Sequence, residues 1–228
     1  MEDSLRSVVD IEVTLPQKGR VSSFGPMARK PMAQVRLILD NDDDLLIVVP
    51  VRVGRILKDS LPVLPLEVDE AFDRIHALEA KACMSVLTEM LNRRDHSCEE
   101  ARAKLKLYGY RDEEIDPCIV KAVEMRFLND TRFASYFIEE RKRRGWGRRK
   151  IELELRAKGV NAQDLPGYPD SFFSVDDDAQ RADAILRRKS IPSQRAFEKL
   201  VRFLMGKGFS YVDASDAVKR RLAELGAR

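Results

Sequence analysis

The residues best suited to chemistry in this 228-residue chain lie in one stretch, Arg141–Lys150, which reads RKRRGWGRRK. Seven of its ten side chains are cationic (Arg141, Lys142, Arg143, Arg144, Arg148, Arg149 and Lys150), and Trp146 stands between Gly145 and Gly147. Arginine forks take phosphates or carboxylates bidentately, and an indole can stack on a base or fill a partner's pocket. The charge is local. Residues 131–160 carry ten Lys and Arg against four Asp and Glu, whereas 1–70 carry nine against 12, 71–130 ten against 12, and 161–228 12 against ten. The formal net charge of +3 is thus one basic block on a near-neutral background. A phosphate backbone or an acidic protein groove would feel that block as a local field. The plainer readings are a solvated helix end for the charges and, for Trp146, a core plug between neighbouring helical units.

No other constellation supports chemistry. The acidic run Asp40-Asn41-Asp42-Asp43-Asp44 lacks the glycine and the distal Glu of a calcium loop, so a solvated turn is expected. His96 has no second ligand nearby and reads as structural. Cys83, Cys98 and Cys118 are too few and scattered for a disulfide framework and match no zinc spacing, which leaves buried free thiols in a reducing cytosol. Glu139 and Glu140 are adjacent and point to different helix faces. With no HExxH, no CxxC and no glycine-rich loop after a strand, an enzyme is not expected, and no catalytic, cofactor or metal residue is assigned. The start MEDSLRSVVD lacks the n- and h-regions of a signal peptide, and the longest apolar run, Leu45–Val49, is far short of a membrane span. A cytoplasmic monomer without membrane attachment is expected.

The elements around the block are mostly helical, in keeping with 35% charged and 7% aromatic residues. Val9, Ile11, Val13 and Leu15 alternate with polar residues as in a half-buried strand. Gln17–Pro31 reads as a loop, and Val35–Leu39 and Leu45–Val53 as a hairpin around the acidic turn. From Asp69 the period turns helical, with Ile75, Leu78, Ala82, Val86, Leu87, Met90 and Leu91 on one stripe. Ser97 and Glu100 form a capping box for the next helix, which Gly109 stops. Ile115, Cys118, Ile119, Ala122, Val123 and Phe127 form a third stripe. Because Pro117 would damage a helix begun at Asp112, the expected start is Asp116 as N-cap with Pro117 at N1. Asn129-Asp130 caps a fourth helix, with Phe133, Tyr136 and Phe137 inward, that runs into the basic block.

A period of about fifty residues links these helices. Ala101/Leu105/Gly109/Tyr110 aligns with Ile151/Leu155/Gly159/Val160 and with Leu200/Leu204/Gly208/Phe209. Each is a helix with two inward residues, a glycine stop, and an apolar residue that folds back onto the helix. Longer helices are expected before them, at Phe72–Arg93, Asp130–Arg144 and Asp176–Lys189. After Val160, Pro166, Gly167 and Pro169 forbid a full third helix, so Phe172 and Phe173 must do its packing from a loop. The expected organisation is a small β-rich unit at 1–68, three-helix repeats at 69–128 and 175–228, and a repeat with a broken third helix at 129–174. Such a recurrence implies a mostly α, elongated and curved array of tandem three-helix repeats.

Three ordered motifs carry a resemblance: Arg93–Glu100 (RRDHSCEE), Phe127–Ala134 (FLNDTRFA) and Arg144–Val160 (RGWGRRKIELELRAKGV). With them the chain resembles the RecX regulatory-protein family over roughly residues 72–225, and more loosely over 34–60. The resemblance implies a bacterial protein that binds the RecA recombinase in the groove of its filament on single-stranded DNA. There it would inhibit ATPase, strand-exchange and coprotease activity and bind naked DNA only weakly. Two departures from the family pattern are the Pro-rich 161–174 and Pro117. The competing reading is a general helical DNA- or RNA-binding protein with no recombinase partner, which would bind naked DNA tightly at physiological salt.

Overall fold

The structure, a computed structural model, describes residues 6–17, 30–174 and 177–226. Most of the loop read at Gln17–Pro31, and Asp176 at the start of one expected helix, lie outside the described residues. The chain divides into two compact units, Met1–Leu128 and Asn129–Arg228. Among the described residues no helix is long and apolar enough to cross a membrane.

The first unit holds four antiparallel strands, β1 (Ser7–Thr14), β2 (Met32–Leu39), β3 (Asp44–Pro50) and β4 (Leu66–Glu67), in the order β3-β2-β1-β4. The hairpin expected around the acidic turn is β2–β3. Helix α1 (Val51–Asp59) lies between β3 and β4, and α2 (Val68–Leu91), α3 (Cys98–Leu107) and α4 (Asp112–Glu124) follow. One face of the sheet, with Val8, Val35, Leu37 and Val49, shares a single core with Ile75, Leu87, Leu105 and Ile115 of the helices. That common core is how so small a sheet hides a face.

Expectations fail in this unit at four places, three of them for physical reasons that the structure shows. A register shift between Val8 and Asp10 turns Val8 inward beside Ile11 and leaves Val9 exposed, so simple alternation breaks at the bulge. The strand expected to reach Val53 stops at Pro50, which has no N–H to donate. A helix begins at Val51, buries Val53, Gly54 and Leu57, and packs Gly54 against Ala33 so closely that an added Cβ would lie 2.4 Å away. The helix expected to begin at Pro117 begins at Asp112 and runs through it. Its start is fixed ahead of Pro117: the Arg111 N–H donates to Glu114 Oε2 at 3.0 Å, and the Arg111 guanidinium reaches Glu79 at 2.8 Å. Pro117 and Glu113, whose carbonyl loses its donor, are both exposed, so water can serve that acceptor. Val123 near the end of the same helix and Phe127 beyond it, both expected inward, also face out.

The second unit comprises α5 (Asp130–Arg143), α6 (Arg148–Ala157), a 3-10 turn at Ala162–Asp164, α7 (Asp177–Arg187), α8 (Ala196–Gly206) and α9 (Tyr211–Gly226). Phe133, Phe137, Ile138, Ile151 and Leu155 make one core, to which the loop after Val160 adds Leu165, Phe173 and, partly, Tyr168 and Phe172. Leu186, Leu200, Leu204, Phe209 and Val218 make another. Tyr136, expected inward, is 63% exposed because Phe133, Phe137 and Ile138 already fill the inner face. Asn129 caps α5, its side chain accepting from the Arg132 N–H at 2.8 Å, and Ser97 caps α3 through the Glu100 N–H at 3.1 Å.

The recurring corner has one geometry in all three places. The C″ amides of Tyr110, Val160 and Phe209 donate to Leu105 O, Leu155 O and Leu204 O at 3.3, 3.0 and 3.2 Å. The preceding glycines 109, 159 and 208 donate one residue further on, at φ of 95°, 75° and 97°. This is the paired hydrogen bonding of a Schellman stop, which needs the left-handed backbone that glycine tolerates. Gly208→Ala should therefore cost more than ~2 kcal/mol in chemical denaturation, since φ is positive and the new Cβ would lie 2.3 Å from Lys150 Cβ. Gly206→Ala, two residues away with nothing within 4 Å of its Cβ, should instead gain up to about 1 kcal/mol.

Candidate nucleic-acid interface

The basic stretch is the end of α5, a turn at 144–147, and the start of α6. Helix α5 stops on Gly145, with Gly145 and Trp146 N–H donating to Lys142 O and Arg141 O at 2.9 and 3.0 Å. Cations in that last turn suit the helix dipole, but Arg148, Arg149 and Lys150 crowd the positive end of α6, whose first turn holds no acid. Each such misplaced charge costs about 0.3–1 kcal/mol when exposed. Packing from elsewhere in the unit offsets this. Gly147 N–H donates to Lys207 O at 2.9 Å, Arg149 N–H to Gly208 O at 3.1 Å, and Arg148 N–H approaches Asp178 Oδ2 at 3.4 Å. Burial pushes the Asp178 carboxyl up, against Arg181 and the Arg148 N–H, which favour its ionised form. Gly147 sits so close to the α8–α9 corner that a Cβ there would meet the Gly208 carbonyl carbon and the Phe209 nitrogen at 2.4 Å.

The eight residues singled out by type divide into two sets. Arg141 is stacked, its guanidinium 4.5 Å from the Phe137 ring centre and 4.9 Å from that of Trp146, and it bonds Glu140 at 2.9 Å. Lys142 donates to the Phe172 carbonyl at 2.7 Å and pairs with Asp177 at 2.8 Å and Glu139 at 3.0 Å. Burial opposes its charge, yet those carboxylates raise its pKa above the ordinary lysine value. Arg148 bonds Glu152 at 2.9 Å and the Tyr168 hydroxyl at 3.2 Å. Trp146 is half-buried against the core of its own repeat, with Lys150 Nζ 4.2 Å from its ring centre. Arg141 and Arg148 are therefore held against this unit by their partners instead of projecting from the turn.

The outward set is Arg143, Arg144 and Arg149. Arg144 pairs with Glu140, and Arg143 Nε donates to the Glu139 carbonyl at 3.3 Å. Among the described residues no carboxylate pairs with Arg149. Sequence reasoning missed two neighbours on the outer row of α6, Leu153 and Arg156, which are exposed four and seven residues after Arg149. Their spacing opposite Ile151 and Leu155 was the available signal. It also missed a cluster in the first unit, where His76, Glu79 and Glu114 converge with metal-like geometry. There the Arg111 guanidinium occupies the centre, 2.8 Å from Glu79, 2.6 Å from Glu114 and 2.7 Å from His76 Nδ1.

Fold and surface together define a helical-repeat protein with a small antiparallel sheet and a cationic turn built at a helix–helix junction. The sequence model described as "RecX, second three-helix domain" matches residues 129–165. The Regulatory protein RecX of Clostridium perfringens (strain SM101 / Type A) is 30% identical over 173 residues, covering 73% of this chain and 79% of that protein. The one of Cronobacter sakazakii is 34% identical over 147 residues, covering 58% and 86%. A crystal structure of regulatory protein RecX shares the fold at a TM-score of 0.56 and 18% identity, over 95% of this chain and 100% of that one. The chain belongs to the RecX family of regulatory proteins.

The two sets of cations should separate in unfolding experiments. Arg141→Ala should lose about 1–2 kcal/mol through its stacking and buried stem, whereas Arg149→Ala should stay within about 0.5 kcal/mol of wild type. The Lys142–Asp177 contact also carries a pH signature. Burial disfavours the Asp177 charge, but Lys142 and Arg181 hold its pKa below the ordinary value. A depressed carboxylate stabilises the fold above its unfolded pKa, and that contribution is lost as pH falls below about 4. Asp177→Asn should flatten this acid limb of the stability curve.

Proposed function

We propose that this protein binds the RecA recombinase and the DNA of its filament through the outward cations of the basic turn, and that it inhibits ATPase, strand exchange and coprotease activity. The observation that carries this reading is Arg149 together with Arg143 and Arg144: exposed guanidinium groups gathered at two adjoining helix ends, one of them a helix start where cations are disfavoured. Local stability gives no reason for that placement, and an anionic partner does. The first amides of α6 already serve Lys207, Gly208 and Asp178, so a phosphate here meets side chains rather than a helix N-terminus. Arg141, Lys142, Trp146 and Arg148 hold the turn in shape, and Lys150 extends the cationic face beside the indole. The family to which the chain belongs supports a regulatory rather than catalytic role.

The test is RecA ATPase on single-stranded DNA, titrating wild type against the variant with Arg143, Arg144 and Arg149 all changed to Ala. Wild type should suppress turnover at sub-stoichiometric amounts, and the folded variant should need at least about tenfold more protein. If all three contact single-stranded DNA phosphates, the salt dependence of binding should fall by about 0.7 log units per removed cation. Equal inhibition by both proteins would remove the turn from the contact. No inhibition by either, with tight binding to naked DNA at physiological salt, would favour a general nucleic-acid binder instead.

A further inference from the structure

The first unit contains a cavity of about 720 Å³ between the sheet end, α1, α2 and the corner after α3. Its walls are of two kinds. Ile56, Val86 and Met90 give it apolar surface, with Tyr108 beside them. Lys30, Arg52, Arg55 and Arg93 bring four positive charges against Asp59 and Glu89. Arg52 is committed to Glu89, at 2.6 Å. Among the described residues Lys30, Arg55 and Arg93 form no close ion pair, although Arg93 lies near enough to help Arg52 hold the Glu89 pKa down, and all three are exposed.

A volume in this range suits a small organic ligand, and unpaired arginines at the rim of an apolar cleft suit an anion with a flat apolar body. Inorganic phosphate alone would leave the apolar wall unused, and a neutral apolar molecule would leave three cations unused. We propose that this cavity binds a nucleoside phosphate, with the phosphate at Lys30, Arg55 and Arg93 and the base against Ile56, Val86 and Met90 beside Tyr108. The same chemistry is offered by a free nucleotide and by the 5′-terminal nucleotide of a DNA strand. The site is separate from the basic turn and does not depend on the function proposed for it.

The experiment is equilibrium binding to the full chain of a fluorescent ATP analogue and, in parallel, of a short oligothymidylate carrying either a 5′-phosphate or a 5′-hydroxyl. Saturable binding of the ATP analogue, displaced by unlabelled ATP but not by inorganic phosphate, identifies a free nucleotide as the ligand. A preference for the 5′-phosphorylated strand without analogue binding identifies a strand end. In either case Arg55→Ala and Arg93→Ala should each weaken binding, or the preference for the phosphorylated end, by about tenfold. Absence of both kinds of binding at millimolar ligand, or binding that the Arg55/Arg93 double variant leaves unchanged, would overturn the proposal.

Discussion

The second unit depends on a place where two backbones touch. Gly147 at the start of α6 and Gly208 at the end of α8 approach so closely that neither has space for a Cβ, and two hydrogen bonds cross the contact, from Gly147 N–H to Lys207 O and from Arg149 N–H to Gly208 O. Helix starts need acceptors for their first amides, and a carbonyl from a neighbouring helix end is an unusual source. Here the donors of one helix start meet the spare carbonyls of another helix end. The union fixes the direction of α6 and hence where Arg149, Leu153 and Arg156 face.

Side-chain partners elsewhere in the unit explain how seven cations can share ten residues. Arg141, Lys142 and Arg148 are folded into aromatic rings and carboxylates, with Asp177, Glu139, Glu140 and Glu152 as partners. The fixed cations and Trp146 form a scaffold that keeps the field of Arg143, Arg144 and Arg149 outward. Preorganised guanidinium groups lose less side-chain freedom on meeting an anion than the same groups on a mobile tail. A disordered basic segment of equal charge would meet an anion with less geometric selectivity.

Much of this was legible in the sequence where the determinants are local. The three glycine corners could be read because the inward residues, the glycine and the folding-back residue all lie within ten residues. That the described residues 161–174 hold a 3-10 turn and no full helix accords with what Pro166, Gly167 and Pro169 imply. What escaped was set by partners far along the chain. Nothing near Arg141 or Arg148 announces that one is stacked and the other clamped by Tyr168, and Lys142 is claimed by Phe172 and Asp177, thirty or more positions on. Pro117 misled because the anchor that starts α4 is a guanidinium reaching a buried glutamate on α2, and helix α1 was hidden in an apolar run whose strand ends only because Pro50 cannot continue it. Tyr136 is amphipathic, and composition could not say that its neighbours would fill the core first.

Amide hydrogen exchange at Gly147 and Arg149 in the full chain tests the central claim most directly. If the start of α6 is docked onto the α8–α9 corner, both amides should exchange as slowly as Ile151 and Leu155 in the core of the same helix, and Gly147→Ala should release Arg149 while every cation remains in place. Exchange at the rate of the exposed Asn41–Asp43 turn in the wild-type protein would contradict it, and the cations would then belong to a loose turn rather than to a built surface.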